Sequence, residues 1–169
     1  MHAKAVDMNG SLTEDEIDHL LRSERVGRIG CAASGRVYVV PVTFVYEGGC
    51  VYGQSGLGLK VQMMRSNPNV CFQADQISSP FEWRSVIAWG TYEELSGEEA
   101  ENALEQLMRW TANSDDDGYA LGMPPSGHSL RQLTRQLLQV GVIYRIRLSE
   151  KTGRFQQSLS SQMDWPLQR

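Results

Sequence analysis

The chain has 169 residues, 41% of them hydrophobic and 21% charged, with a formal net charge of −4 and a pI near 5.4. That composition suits one globular domain able to bury a sizeable core, and the acidic balance argues against nucleic acid as the main partner. No apolar run is long enough to span a bilayer, and the opening MHAKAVDMNGS lacks the apolar stretch of a signal peptide. The expected location is the cytoplasm, with no membrane attachment.

Residues 1–11 read as a flexible N-terminus. Thr13 with Glu16 three residues on has the spacing of a capping box, and Leu12 with Ile17 that of a hydrophobic staple. Ile17, Leu20 and Leu21 then give the apolar stripe of a short helix ending near Glu24. Residues 26–32 read as a strand, Ser34-Gly35 as a turn, and 36–47 as a long strand rich in Val, Tyr and Thr. Pro41 lacks an N–H, so its strand lies at an edge, at a bulge, or where something other than a strand pairs with it. Gly48-Gly49 closes a hairpin into a strand over 50–54.

A helix is expected over 60–66, stopped by Asn67-Pro68-Asn69, then a strand over 70–74 and a loop over 77–80. Residues 83–95 form another long strand with a bulge at Gly90. A helix follows to about Trp110, then a long loop over 111–127, a helix over 129–139 and a last strand over 140–148. Residues 151–169 read as a polar C-terminal tail, leaving 12–150 as the domain. Six strands joined mostly by hairpins and short connections predict a mainly β fold, an antiparallel barrel with peripheral helices. No Gly-x-Gly-x-x-Gly joins a strand to a helix, so a dinucleotide-binding doubly wound sheet is not expected.

The residues that usually carry chemistry are sparse. His2, His19 and His128 are far apart, and no pair has the spacing of a zinc helix; no metal site is expected. Cys31, Cys50 and Cys71 form no Cys-x-x-Cys and read as reduced, mostly buried thiols. Asp115-Asp116-Asp117 reads as a solvated charge run. No nucleophile elbow and no acid–base pair stands out, so no catalytic residue is assigned; any reaction would need a cofactor to carry the hard step.

The informative stretch is 36–75. Ser55, Gly56 and Gly58 allow close backbone approach, and Lys60 falls at a helix start. Helix N-terminal amides and an ammonium facing one point form an anion cradle suited to a phosphate-bearing cofactor. The same pattern is also that of a surface loop with a solvated lysine. Trp83, entering a strand after a loop, is a candidate to stack on a planar ring, although most strand aromatics are core.

Taken in order, Val26-Gly27-Arg28-Ile29, Val39-Val40-Pro41-Val42-Thr43-Phe44, Gly49-x-Val51-Tyr52, Gly58-x-Lys60, Asn67-Pro68-x-Val70-Cys71-Phe72, Trp83-Arg84-Ser85-Val86 and Gly90 resemble the pyridoxamine 5′-phosphate oxidase-like FMN-binding split-barrel family. They are most similar to its nitroimidazole-resistance branch, over about residues 12 to 150. The resemblance implies a split-barrel homodimer with FMN sites at the subunit interface. It implies that the backbone of Val40, Pro41 and Val42, with Thr43, lies along the flavin ring. Gln54, Ser55, Gly58, Leu59 and Lys60 match the segment holding the ribityl phosphate, with Lys60 as charge partner. Arg84 and Ser85 match a further flavin contact, with Trp83 beside them.

Two departures stand out. Many relatives carry His where this chain has Gln54, and the Arg-Leu-x-Pro ending of true pyridoxamine-phosphate oxidases is replaced by Asp164-Trp165-Pro166-Leu167-Gln168-Arg169. Vitamin B6 oxidation is therefore not the expected reaction. The expected function is a flavoprotein oxidoreductase passing electrons from NAD(P)H to a small nitroaromatic or quinone-like acceptor. The alternatives are a flavin- or heme-binding module without turnover, and a deazaflavin-dependent reductase.

Overall fold

The computed structural model describes residues 7–112 and 141–158. Its elements are β1 (Asp7–Ser11), α1 (Glu14–Ser23), β2 (Val26–Ala33), β3 (Arg36–Glu47), β4 (Cys50–Gly56), α2 (Leu59–Ser66), β5 (Asn69–Ser79), β6 (Glu82–Leu95), α3 (Gly97–Ala112) and β7 (Gly141–Ser158). The strands form one sheet in the order β1-β7-β4-β3-β2-β5-β6, and an added β6–β7 pairing closes it into a barrel. Every pairing is antiparallel. The mainly β barrel with peripheral helices is thus the observed fold.

Alternation along the strands fills the barrel. Ile29, Phe44, Val51, Phe72, Val86, Tyr144 and Ile146 are fully buried on its inner face. Phe44 and Phe72 meet edge to face at 4.8 Å. At β4, Gly53 lies under the Tyr144 ring: a Cβ there would come within 2.4 Å of Tyr144 Oη. The close approach of these paired residues therefore requires glycine. Burial desolvates the Tyr144 hydroxyl, which has no hydrogen-bond partner among the described residues and whose pKa is pushed well above the usual tyrosine value.

The helices plug what the barrel leaves open. In α1 the capping box is present: Thr13 N–H donates to Glu16 Oε2 at 2.8 Å, and Glu16 N–H donates to Thr13 Oγ1 at 3.3 Å. Its buried Ile17, Leu20 and Leu21 join the main core, as do Val61, Met63 and Met64 of α2. Asp18 pins α1 to the barrel, accepting from Tyr46 Oη at 2.9 Å and from Lys151 Nζ. A second cluster, with Ala100, Ala103, Leu104 and Met108 of α3 against Leu95 and Ile143, covers the outer face of β4, β7 and the end of β6.

Several boundaries differ from the sequence reading. Residues 7–11, expected as part of a flexible start, form β1, and the strand expected to end at 148 continues as β7 to Ser158, into the stretch expected as tail. These two segments pair with each other, and β7 pairs with β6 as well. Neither has an apolar alternation that would announce a strand locally. Residues 77–79, expected as loop, extend β5, and the hairpin turns at Pro80 and Phe81. The register shift expected at Gly90 is present between Trp89 and Gly90 in the β6–β7 ladder. The loop expected over 111–127, beyond its first two residues in α3, and the helix expected over 129–139 lie outside the described residues.

Candidate functional site

The barrel is split beside Pro41. The β3–β4 ladder runs from Glu47↔Cys50 to Phe44↔Gly53 and stops. Earlier β3 residues pair only with β2, and Gln54, Ser55 and Gly56 pair only with β7. Continued register would have set Gln54 against Thr43 and Ser55 against Val42, so the two strands diverge where the resemblance places a flavin.

The edge this leaves has a definite polarity. Phe44 N–H donates to Arg25 C=O at 3.0 Å, so the backbone groups of Phe44 point toward β2. Alternation then aims the N–H and C=O of Val39 and Thr43, and the C=O of Pro41, at the open edge. Pro41 is tolerated because its missing N–H falls on the side with no strand partner. Side chains divide as well: Val42 is buried and Val40 half-buried on the inner face, whereas Pro41 and Thr43 look outward. A planar ligand along this edge would meet backbone dipoles and two outward side chains.

The cradle residues follow directly. Gly58 caps α2 without a side-chain hydrogen bond, leaving the first-turn amides without a side-chain acceptor. Leu57, Gly58 and Leu59 are exposed, while Gln54, Ser55 and Lys60 are half-buried. Ser55 Oγ donates to Gly56 C=O at 3.0 Å. Lys60 is the unusual member. Desolvation pushes its pKa below the ordinary lysine value, against a smaller opposing effect of the Cys31 thiol, and among the described residues no carboxylate pairs with it. A half-buried, unpaired ammonium beside uncapped helix amides fits a phosphate group.

The third predicted group is not brought together. In β6, Trp83 and Ser85 share the outer face with Gln73, Asp75 and Ile77, where they line a cavity of about 300 Å³. Arg84 alternates to the other face, beside its cross-strand neighbours Gln76 and Phe155 and a separate cavity of about 230 Å³. Arg84 and Ser85 therefore cannot offer side chains to one ligand on one face of this sheet. Trp83 Nε1 is held by Gln156 Oε1 at 3.1 Å.

Sequence reasoning missed the outer face itself. Cross-strand rows place Val39, Gly30, Cys71 and Trp89 side by side, and Pro41, Arg28, Gln73 and Ile87 beside them. All of these but Pro41 line a largely apolar groove of about 610 Å³, with Val37 72% exposed and Trp89 42% exposed. Its charges are matched within the chain: Arg28 Nη1 donates to Asp75 Oδ2 at 3.1 Å, and Gln73 Nε2 donates to the same oxygen at 2.9 Å. A signal was present. The run VYVVPV is apolar on both faces of its strand, a pattern of strands covered on both sides.

The sequence profile of the pyridoxamine 5′-phosphate oxidase family matches residues 13–155, so a split barrel with this edge and cradle has its class: the chain belongs to that family. Among solved structures it is similar to a FAD-binding protein of Mesorhizobium loti, at 27% identity and a TM-score of 0.67, covering 90% of this chain and 99% of that one. It shares its fold with a protein of Bacteroides thetaiotaomicron assigned to 5-nitroimidazole antibiotic resistance, at 19% identity and a TM-score of 0.67, covering 94% of this chain and 95% of the other. Among curated sequences, an uncharacterised protein of Rhizobium meliloti is 32% identical over 84 residues, spanning 50% of this chain and 56% of that protein. The chain thus matches little more than half the length of that relative. Among the described residues no helix is long and apolar enough to cross a membrane.

Proposed function

We propose that this chain is an FMN-binding flavoprotein oxidoreductase that passes electrons from NAD(P)H to a small acceptor of nitroaromatic or quinone type. The observation that carries the reading is Lys60: a half-buried ammonium with no carboxylate partner among the described residues, at an uncapped helix start, next to a strand edge with unpaired backbone groups. Family membership and the likeness to a FAD-binding protein support a flavin in that place. Bound flavin supplies the redox chemistry. Lys60 and the α2 amides hold the phosphate, the edge of Val39, Pro41 and Thr43 orients the ring, and Gln54 and Ser55 lie on the end of β4 that leads into α2.

The active form in this reading is a homodimer with a cofactor site at each subunit boundary. The exposed apolar outer face of β2, β3, β5 and β6 supports it, because the described helices pack elsewhere and an uncovered patch of this kind marks an interface.

The test is the visible spectrum of the purified protein, with the released ligand identified by mass, followed by NADH and NADPH oxidation with a nitroaromatic or quinone acceptor. A flavin band with the mass of FMN and turnover above free FMN is expected. The mass of FAD would revise the cofactor, a Soret band would replace flavin with heme, and flavin without turnover would leave a binding module.

A further inference from the structure

Helices α1 and α3 both pack on β3, and a cavity of about 470 Å³ lies between them. That volume is in the range of small-molecule sites, roughly 300–1,000 Å³. Arg22 of α1, Tyr46 and Glu47 of β3, and Gln106, Arg109 and Trp110 of α3 line it. None of these residues belongs to the open edge or to the cradle. Tyr46 stands three residues beyond Thr43, about 10 Å along the strand, where the β3–β4 ladder is closed by the pairing of Tyr46 with Val51.

The lining carries two guanidinium groups against one carboxylate, in a chain whose net charge is −4. That carboxylate, Glu47, accepts from Gln106 Nε2 at 2.6 Å. Neither arginine is held firmly. Arg109 meets Glu105 at 3.4 Å along the surface of α3, a contact of little strength. Arg22 Nη2 donates to Asp18 Oδ2 at 3.2 Å, but the other Asp18 oxygen accepts from Tyr46 Oη and Lys151 Nζ. Asp18 therefore stays compensated when Arg22 turns to a ligand. The aromatic members are braced by cations: Arg22 Cζ lies 5.8 Å from the centre of the Tyr46 ring, and Arg25 Cζ 5.1 Å from that of Trp110. Trp110 Nε1–H is buried and has no acceptor among the described residues, so its lost hydration is not replaced. Donors in excess beside an aromatic wall suit a flat ligand that brings negative charge and acceptor atoms.

We propose that this cavity is a second ligand site, for a planar aromatic carboxylate whose ring lies on Trp110 and whose carboxylate sits between Arg22 and Arg109. A carboxylate matches the forked donors of a guanidinium and accepts from more than one at a time. Two guanidiniums carried by different helices fix the direction of the carboxylate, so the site selects charge as well as ring shape. A neutral amide on the same ring leaves that pair of cations without a counter-charge. The site is separate from the proposed flavin reading and stands or falls without it.

The experiment titrates the purified full chain with 2-naphthoate by calorimetry, with and without saturating FMN. One naphthoate per chain is expected to bind, at least tenfold more tightly than neutral 2-naphthamide, and equally well in both conditions. Equal affinity for the amide, no binding at millimolar concentration, or exclusion of naphthoate by FMN overturns the proposal. Arg22→Gln combined with Arg109→Gln, with far-UV circular dichroism unchanged, is expected to weaken naphthoate binding at least tenfold and to leave FMN affinity at the wild-type value. Naphthoate binding at wild-type strength, or a parallel loss of FMN, overturns it. A second readout needs no arginine variant: the indole N–H resonance of Trp110, identified by its absence in Trp110→Phe, is expected to shift as naphthoate is added to the wild-type protein. A resonance that stays in place while naphthoate binds puts the ligand elsewhere and refutes the site.

Discussion

Lys60→Met separates the two consequences of a withdrawn, unpaired ammonium. The substitution keeps a long unbranched stem and removes the charge. A charge-assisted hydrogen bond to phosphate contributes about 1.5–3 kcal/mol, so FMN affinity should fall about 10- to 150-fold, measured by quenching of flavin fluorescence on titration. Stability of the cofactor-free protein should move the other way or not at all, because Lys60 is half desolvated without a carboxylate partner among the described residues. The pH dependence fixes the sign. Burial holds the folded-state pKa of Lys60 below its ordinary value of 10.5. The cost of burying the charge is then fully present at neutral pH and is relieved as pH rises from the lowered folded value toward the unfolded one. Any urea-stability advantage of Lys60→Met should accordingly shrink with rising pH, while wild-type FMN affinity falls over the same window. Unchanged FMN affinity, or a large loss of cofactor-free stability, would refute the reasoning.

Two further outcomes test the core beside the split. Gly53→Ala should destabilise by about 1–3 kcal/mol in urea unfolding, since its Cβ would fall 2.4 Å from the fully buried Tyr144 hydroxyl; wild-type stability would mean that the ring has room to shift. Tyr144→Phe removes a buried hydroxyl that has no described partner, and should leave stability unchanged or raise it by up to about 3 kcal/mol. A loss greater than about 1 kcal/mol would reveal a partner for that hydroxyl.

What could be read in the sequence was what local chemistry determines. Thr13 and Glu16 announce α1 because a cap is satisfied within one turn, and Gly48-Gly49 announces its hairpin because both residues adopt positive φ, 56° and 76°. Val, Tyr and Thr in alternation announce β3, and the antiparallel barrel follows from short connections. Lys60 was legible as a candidate because a Gly-rich turn and a helix start are adjacent in the chain. Pro41 marked an edge without revealing which one.

Pairing over long separations decided the rest. β1 and the end of β7 exist because they lie against each other across more than a hundred residues, and neither MNGS nor KTGRFQQS carries a pattern of its own. The resemblance groups Arg84 with Ser85 as one flavin contact, and the pleat that sends sequence neighbours to opposite faces separates them. The split itself is a property of register: nothing in the local run says that β4 leaves β3 after Gly53. The sequence alone determined most of the elements and marked Lys60 as a candidate for anion binding. Only the tertiary structure decided which face each side chain occupies, where the ladder opens, and that the lysine is half desolvated with no described carboxylate partner, because those depend on contacts between residues that the chain order keeps apart.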